Sequence, residues 1–331
     1  MQRCDLPEDA KSHWCETKVG ILLELEASGH EGDPCPELPD SFRNLAKMDK
    51  LTREIHLTAA DKAAPKGQVF GQANVEPAEN ENRPPDPLAG AREEEAVVFE
   101  PPEVAARDVV ATLAHSRRFG SQRAARAWSL GFAAAPVKAF VGDGQAANWG
   151  IWERHFKHLK FVPILDFIHA LTYVYAAAMA DRSKAEGAPV YLRWISWVWQ
   201  GQVSQVIAEL AARAVGAPPA GWSGPPPDDA GETDPRQIIA ATLTYLVNQQ
   251  SRMNYPDYRR RGLPITSSHI ESTIKQINQR VKGAEKFWTA AGGEALLQLR
   301  ADQLSDTQPR SCYWIRRSRS ATGTRTYTKA A

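Results

Sequence analysis

Cysteine is scarce in this chain of 331 residues, and the four present (Cys4, Cys15, Cys35 and Cys312) form no CxxC pair and no zinc-ligand spacing. Their thiols are expected to be reduced. Long apolar runs are missing too. No stretch of about 18 apolar residues is available to span a membrane, and the run from Tyr173 to Ala180 is stopped by Asp181, Arg182 and Lys184. The N-terminal residues mix charges and lack the apolar core, about 7–15 residues long, of a signal peptide. Neither GxGxxG nor Walker-type spacing follows Gly142-Asp143-Gly144, so a nucleotide-binding loop of a metabolic enzyme has little support. These absences predict a cytoplasmic protein with no membrane association.

What is present points to a folded chain. Hydrophobic residues make up 43% of it and ten are Trp, enough for one large domain or two ordinary ones. The formal net charge of +1 conceals an asymmetry: residues 1–100 carry 11 Lys and Arg against 21 Asp and Glu, and residues 251–331 carry 15 against 6. A basic end with Arg259-Arg260-Arg261 and Arg316-Arg317 suits a polyanion such as DNA. Charge alone does not separate that from a solvated basic surface.

Residues 14–26 read as a strand. Residues 27–105 form a Pro-rich, acidic insertion broken by Arg83-Pro-Pro-Asp-Pro and Glu100-Pro-Pro, with one weak helical piece near 41–64. Residues 108–113 read as a strand and 119–130 as a helix ending at Gly131. Next come an apolar run from Val137 ending at Asp143, an amphipathic stretch over 148–160, and a second apolar run from Phe161 through Asp166 to His169. That order predicts a βαβ unit with two parallel buried strands. Helices are expected over 170–185, as one Trp-rich run over 190–215, and from Pro235 to Met253. The Trp-rich run is read as packing rather than as a base-stacking platform. The Thr266-Ser267-Ser268 cluster predicts an N-cap for a helix whose apolar face is Ile270, Ile274, Ile277 and Val281, with Glu271 near its start. Residues past 303 read as a basic disordered tail.

A carboxylate at the carboxyl end of a parallel strand sits where open α/β sheets hold their chemistry, which singles out Asp143. Taken alone, Asp143 could cap the next helix and Glu271 could favour a helix dipole. Taken together, two acids on separate elements suit hard oxygen coordination of Mg²⁺. His169 could orient a ligand, contact a phosphate, or be a satisfied core or cap histidine.

Several spaced motifs then occur in order: His13-Trp-Cys-Glu-Thr-Lys-Val-Gly20, Asp33-Pro-Cys-Pro36, Ala139-Phe-Val-Gly-Asp-Gly144, Asn148-Trp149, His155-Phe156, Ile164-Leu-Asp-Phe-Ile-His-Ala170, Gly262-Leu-Pro-Ile-Thr-Ser-Ser-His-Ile-Glu-Ser-Thr-Ile-Lys-Gln276, Lys282-Gly283, Phe287-Trp288 and Glu294-Ala-Leu-Leu-Gln-Leu-Arg-Ala301. With these the chain resembles the DDE transposases of bacterial insertion sequences, in the ISKra-type group. The resemblance implies an α/β, ribonuclease H-like (integrase/transposase) domain with a helical insertion and a long Pro-rich insertion. It implies DNA cleavage and strand transfer with two Mg²⁺ ions held by three acids, DNA partners (element ends and target), and a homo-oligomer when assembled on DNA.

Only 22 residues separate Asp143 from Asp166, room for one helix and one strand. The resemblance therefore makes Asp143 the second acid, on strand 4, and Glu271 the third. These two are the expected catalytic and metal-ligating residues, with Asp166 and His169 auxiliary beside them and Arg259, Arg260, Arg261, Lys275 and Lys282 contacting DNA. The first acid should lie on a strand before residue 14, and Asp5 is a poor substitute. The expectation is thus a partial chain lacking that acid, with a catalytically inactive remnant that at most binds DNA as the alternative. Its expected divisions are 1–26 (remnant with strand 2), 27–105 (insertion), 106–187 (core strands 3–5), 188–258 (helical insertion), 259–302 (the Glu271 helix region) and 303–331 (tail).

Overall fold

The structure, a computed structural model, describes residues 16–60, 102–215, 234–281, 286, 288–307 and 309–319. Asp5, the Pro-rich part of the insertion, the Pro-Pro-Pro stretch at 225–227, Lys282 and the last 12 residues lie outside the described residues.

The fold is mixed α/β and mostly helical. β1 (Lys18–Glu26) runs antiparallel to β2 (Glu103–Thr112), with Lys18 opposite Thr112 and an irregularity between Glu24 and Leu25. β3 (Ala139–Gly142) and β4 (Val162–Leu165) pair in parallel, as the βαβ pattern predicts. Among the described residues no strand joins the two pairs, so they stand as separate two-stranded sheets. β2 separates its faces by alternation. Val109 and Ala111 pack with Ile277, Leu297 and Ala301 in a small second core, while Asp108, one position before Val109 and so on the opposite face, is held by Arg126.

α1 (Leu45–Ala60) lies within the weak helical piece expected at 41–64. α2 (Ser116–Ser129) is capped by His115 and gives way to Gly131 at φ +79. The stretch predicted as one amphipathic helix is instead α3 (Ala146–Ile151), a π turn over Trp152–Phe156 and a 3-10 turn over Lys157–Leu159. Its rings still do the expected packing, Phe156 and Trp149 against Phe140. α4 (Phe167–Met179) begins three residues earlier than expected, because Asp166 caps it at once.

α5 (Lys184–Trp199) opens on a Ser183/Glu186 capping box. The expected single run over 190–215 breaks at Gly201, φ +74, and resumes as α6 (Val203–Val215). α7 (Pro235–Gln249) starts with Pro235 after its Asp234 cap, as predicted. α8 (Tyr255–Arg260), α9 (Ser268–Val281) and α10 (Ala290–Leu304) follow. The expected disorder past 303 is corrected for residues 309–319, which form α11 (Pro309–Arg319).

The main core centres on α4. Phe167, Leu171 and Val174 are fully buried against Trp194, Ile195 and Val198 of α5, each apolar side chain worth about 1.5–3 kcal/mol relative to exposure. Trp194 donates to Glu209 and Trp199 to the Cys35 carbonyl, so both indoles satisfy their N–H while buried. The Trp-rich stretch is packing. No described helix is long and apolar enough to cross a membrane.

Candidate functional site

Asp143 follows the last residue of β3. Its Oδ1 accepts from Gln145 N and Asn148 Nδ2, both at 2.9 Å, which fixes the carboxylate at the entry to α3. The turn is also braced from behind by α7. Tyr245 Oη donates to the Asp143 carbonyl at 2.9 Å and Gln249 Nε2 to the Gly144 carbonyl at 3.1 Å. Gly144 sits at φ +97, and a Cβ there would lie 2.5 Å from the Tyr245 ring, so position 144 needs glycine for both conformation and space. Tyr245 in turn stacks on Tyr173 with centroids 3.8 Å apart.

Asp166 ends β4 and is buried. One oxygen caps α4 through Ile168 N at 2.8 Å. The other accepts from the Ser267 backbone N–H at 3.1 Å and from its hydroxyl. Phe167 N also donates to the Ile265 carbonyl at 2.9 Å. These bonds hold the start of α9 against the end of β4, and Glu271 lies in the first turn of α9.

The consequence is convergence. Asp143, His169, Ser267 and Glu271 line one cleft of about 2800 Å³. His169 Nδ1 stands 3.4 Å from Asp166 Oδ2, an ion-pair distance without hydrogen-bond alignment. Burial alone would lower the His169 pKa. The adjacent Asp166 carboxylate, with the charges of Asp143 and Glu271 behind it, outweighs burial and raises it. The three carboxylates thus shift His169 toward its protonated form, against the opposing effect of burial.

The metal reading meets a limit. Among the described residues no group of three or more His, Cys, Asp and Glu side chains could hold a metal ion. Asp143 and Glu271 are two hard oxygen donors, and Asp166 is spent on capping and on Ser267. The described residues do not make the three-acid site that the motifs imply.

The expected DNA contacts divide. Arg259 is fully buried, a correction to its expected role. It pairs with Asp33, donates to the Trp199 carbonyl at 3.0 Å and stacks 3.9 Å over the Trp199 ring. Burying this guanidinium joins the Asp33-Pro-Cys-Pro36 segment to α5 through Nε and one terminal nitrogen, while the other terminal nitrogen is buried without a hydrogen-bond partner among the described residues. Arg260 and Arg261 remain accessible, share Asp257 and line the cleft with the exposed Lys275.

Tyr245, Gln249 and Ser267 escaped the sequence reading as site residues. Ser267 stood in a recognised cap cluster, but nothing local shows that its partner lies 101 residues upstream. Tyr245 and Gln249 share a helix face at i, i+4 spacing, a pattern that any buried face produces. The chain matches no family model, no curated protein and no solved structure against which it was compared.

Proposed function

We propose that this chain is the catalytic domain of a DNA transposase of the insertion-sequence type, built on a ribonuclease H-like α/β plan. The observation that carries the reading is the meeting of Asp143, His169 and Glu271 in one cleft, from segments far apart in sequence, through the Asp166–Ser267 bonds. The ordered motifs around those same residues support it.

In this reading Arg260, Arg261 and Lys275 hold phosphates at the cleft. Protonated His169 offers a further contact to a phosphate beside Asp143 and Glu271. Mg²⁺ would supply charge stabilisation to a phosphodiester transition state, but two of three acids do not complete its site, so no cleavage step is assigned to the described residues. That shortfall favours a second reading, in which the chain binds DNA without cutting it.

Iron-mediated cleavage separates the readings. With Fe²⁺ in place of Mg²⁺, ascorbate and peroxide should cut the backbone near residues 143 and 271, and D143N or E271Q should abolish both cuts. Loss of the cuts together with retained duplex-DNA binding in gel shifts would leave the binding-only reading. Absence of DNA binding at low salt would sink both.

A further inference from the structure

α2 and the π turn that follows α3 meet on a face outside the cleft. Gly120 of α2 lets them close, since a Cβ there would lie 3.0 Å from Ile151 and 3.2 Å from the His155 ring. The π turn over Trp152–Phe156 thereby carries Arg154 and His155 to the start of α2, and such turns recur at functional sites. Arg117, Arg154, Lys157 and His158 are exposed on these elements, and none of them lines the cleft.

The cations of this face crowd one another. Burial and the charges of Arg154, His158 and Arg117, drawn from two separate elements, all lower the His155 pKa. Segments 115–121 and 152–160 contain a single acid, Glu153, and its carboxylate is 3.0 Å from Lys157 Nζ. Among the described residues neither Arg117 nor Arg154 has an ion-pair partner. Like charges gathered without an anion repel one another, and a bound polyanion removes that repulsion.

The neighbouring side chains specify the polyanion. A protein partner needs an apolar or aromatic centre to bury, and these two segments expose no large apolar side chain. A single strand needs open rings on which its bases stack. Phe119 and Phe156 are buried, and Trp152 is committed: its Nε1 donates to the Phe161 carbonyl at 2.8 Å, and Lys157 Nζ lies over its ring at 5.5 Å. Duplex phosphates need only exposed cations.

We propose that the face carrying Arg117, Arg154 and His158 is a second site for the backbone of duplex DNA, separate from the cleft. The choice of DNA as the polyanion rests on the transposase reading. With both sites filled, one chain holds two duplexes at once. The second site reads no sequence, because phosphate contacts position a duplex without reporting its bases.

The test uses the full chain without metal and short duplexes of unrelated sequence. Native mass spectrometry counts duplexes per chain, and a bead-held duplex reports whether the chain captures a labelled second one. Two duplexes per chain are expected. Arg117→Ala with Arg154→Ala should remove one and lower capture at least about tenfold, and Arg260→Ala with Lys275→Ala should remove the other. Arg117→Lys with Arg154→Lys, which keeps both charges, should retain capture. An unchanged urea midpoint checks that these exposed substitutions leave the fold intact. One duplex per parent chain, lost only in the Arg117/Arg154 alanine variant, would uphold this site and refute the cleft as a phosphate site. One duplex lost only in the cleft variant would do the reverse. Capture that persists in the Arg117/Arg154 alanine variant overturns the proposal, since dimerisation then does the bridging. So does polyglutamate that binds as tightly as the duplex and is lost in that variant, which would make the occupant an acidic polypeptide.

Discussion

The buried Asp166 carboxylate accepts both the backbone N–H and the hydroxyl of Ser267, a residue 101 positions downstream. The same carboxylate caps α4 through Ile168 N. One side chain thus ends β4, starts α4 and anchors the beginning of α9, and through α9 it sets where Glu271 stands relative to Asp143. Removing it strands two or more donors in a region with little water. Asp166→Ala should cost about 2–4 kcal/mol, whereas Ser267→Ala, which keeps the backbone N–H bond, should cost about 1 kcal/mol. Urea unfolding monitored by Trp fluorescence measures both. Equal losses in the two variants would contradict the assignment of Asp166 as the anchor.

His169 gives the site a pH signature. Its pKa is raised above the ordinary value of 6.5 by Asp166 and by the charges of Asp143 and Glu271, against the opposing effect of burial. A raised folded-state pKa means that the stabilisation is fully present below about pH 6.5 and is lost as pH rises through the higher folded value. The difference in urea midpoint between the parent chain and His169→Gln should therefore be largest near about pH 5.5 and shrink toward about pH 9. A difference that is flat or grows with pH would rule out His169 as a cation held by these acids.

The cations beyond residue 258 should separate into structural and surface groups. Arg259→Ala breaks a buried pair with Asp33 and removes the stack on Trp199, a loss of about 3 kcal/mol or more. Arg260→Ala and Lys275→Ala touch half-exposed or exposed groups and should stay within about 0.5 kcal/mol of the parent. If the proposed function holds, each of these two should lower duplex-DNA affinity and reduce the slope of log affinity against log salt by about one. Thermal melts and salt-dependent gel shifts report the two effects separately.

The parts of this fold legible in sequence were those written in local patterns. The parallel β3–β4 pair announced itself as two apolar runs around an amphipathic stretch, and the α7 start as Asp234-Pro235. Asp143 and Glu271 stand where those patterns put them, after a strand end and in the first turn of a helix. What failed was context. Arg259 reads as one of three consecutive arginines, and only the approach of Asp33, 226 residues earlier, makes it a core residue. The break at Gly201 was hidden because apolar spacing continues on both sides of it. α11 was hidden because Ser and Arg dominate a segment whose Tyr313, Trp314 and Ile315 remain exposed.

The Asp143–Gly144 turn depends on a helix that no motif connects to it. Gly144 is at φ +97 and its missing side chain is where the Tyr245 ring lies. Tyr245 and Gln249 donate to the carbonyls of residues 143 and 144. Gly144→Ala combines left-handed strain with a clash against a ring that is itself stacked on Tyr173, and should cost about 2–3 kcal/mol. Tyr245→Phe keeps the stack, frees one carbonyl and should cost about 1 kcal/mol. Double-mutant cycles then locate the coupling. Tyr245→Phe and Gly144→Ala share a contact, so their effects should fall short of additivity by at least about 0.5 kcal/mol. Tyr245→Phe and Ser267→Ala share none and should add. Strict additivity in the first cycle would show that α7 does not brace the turn carrying Asp143.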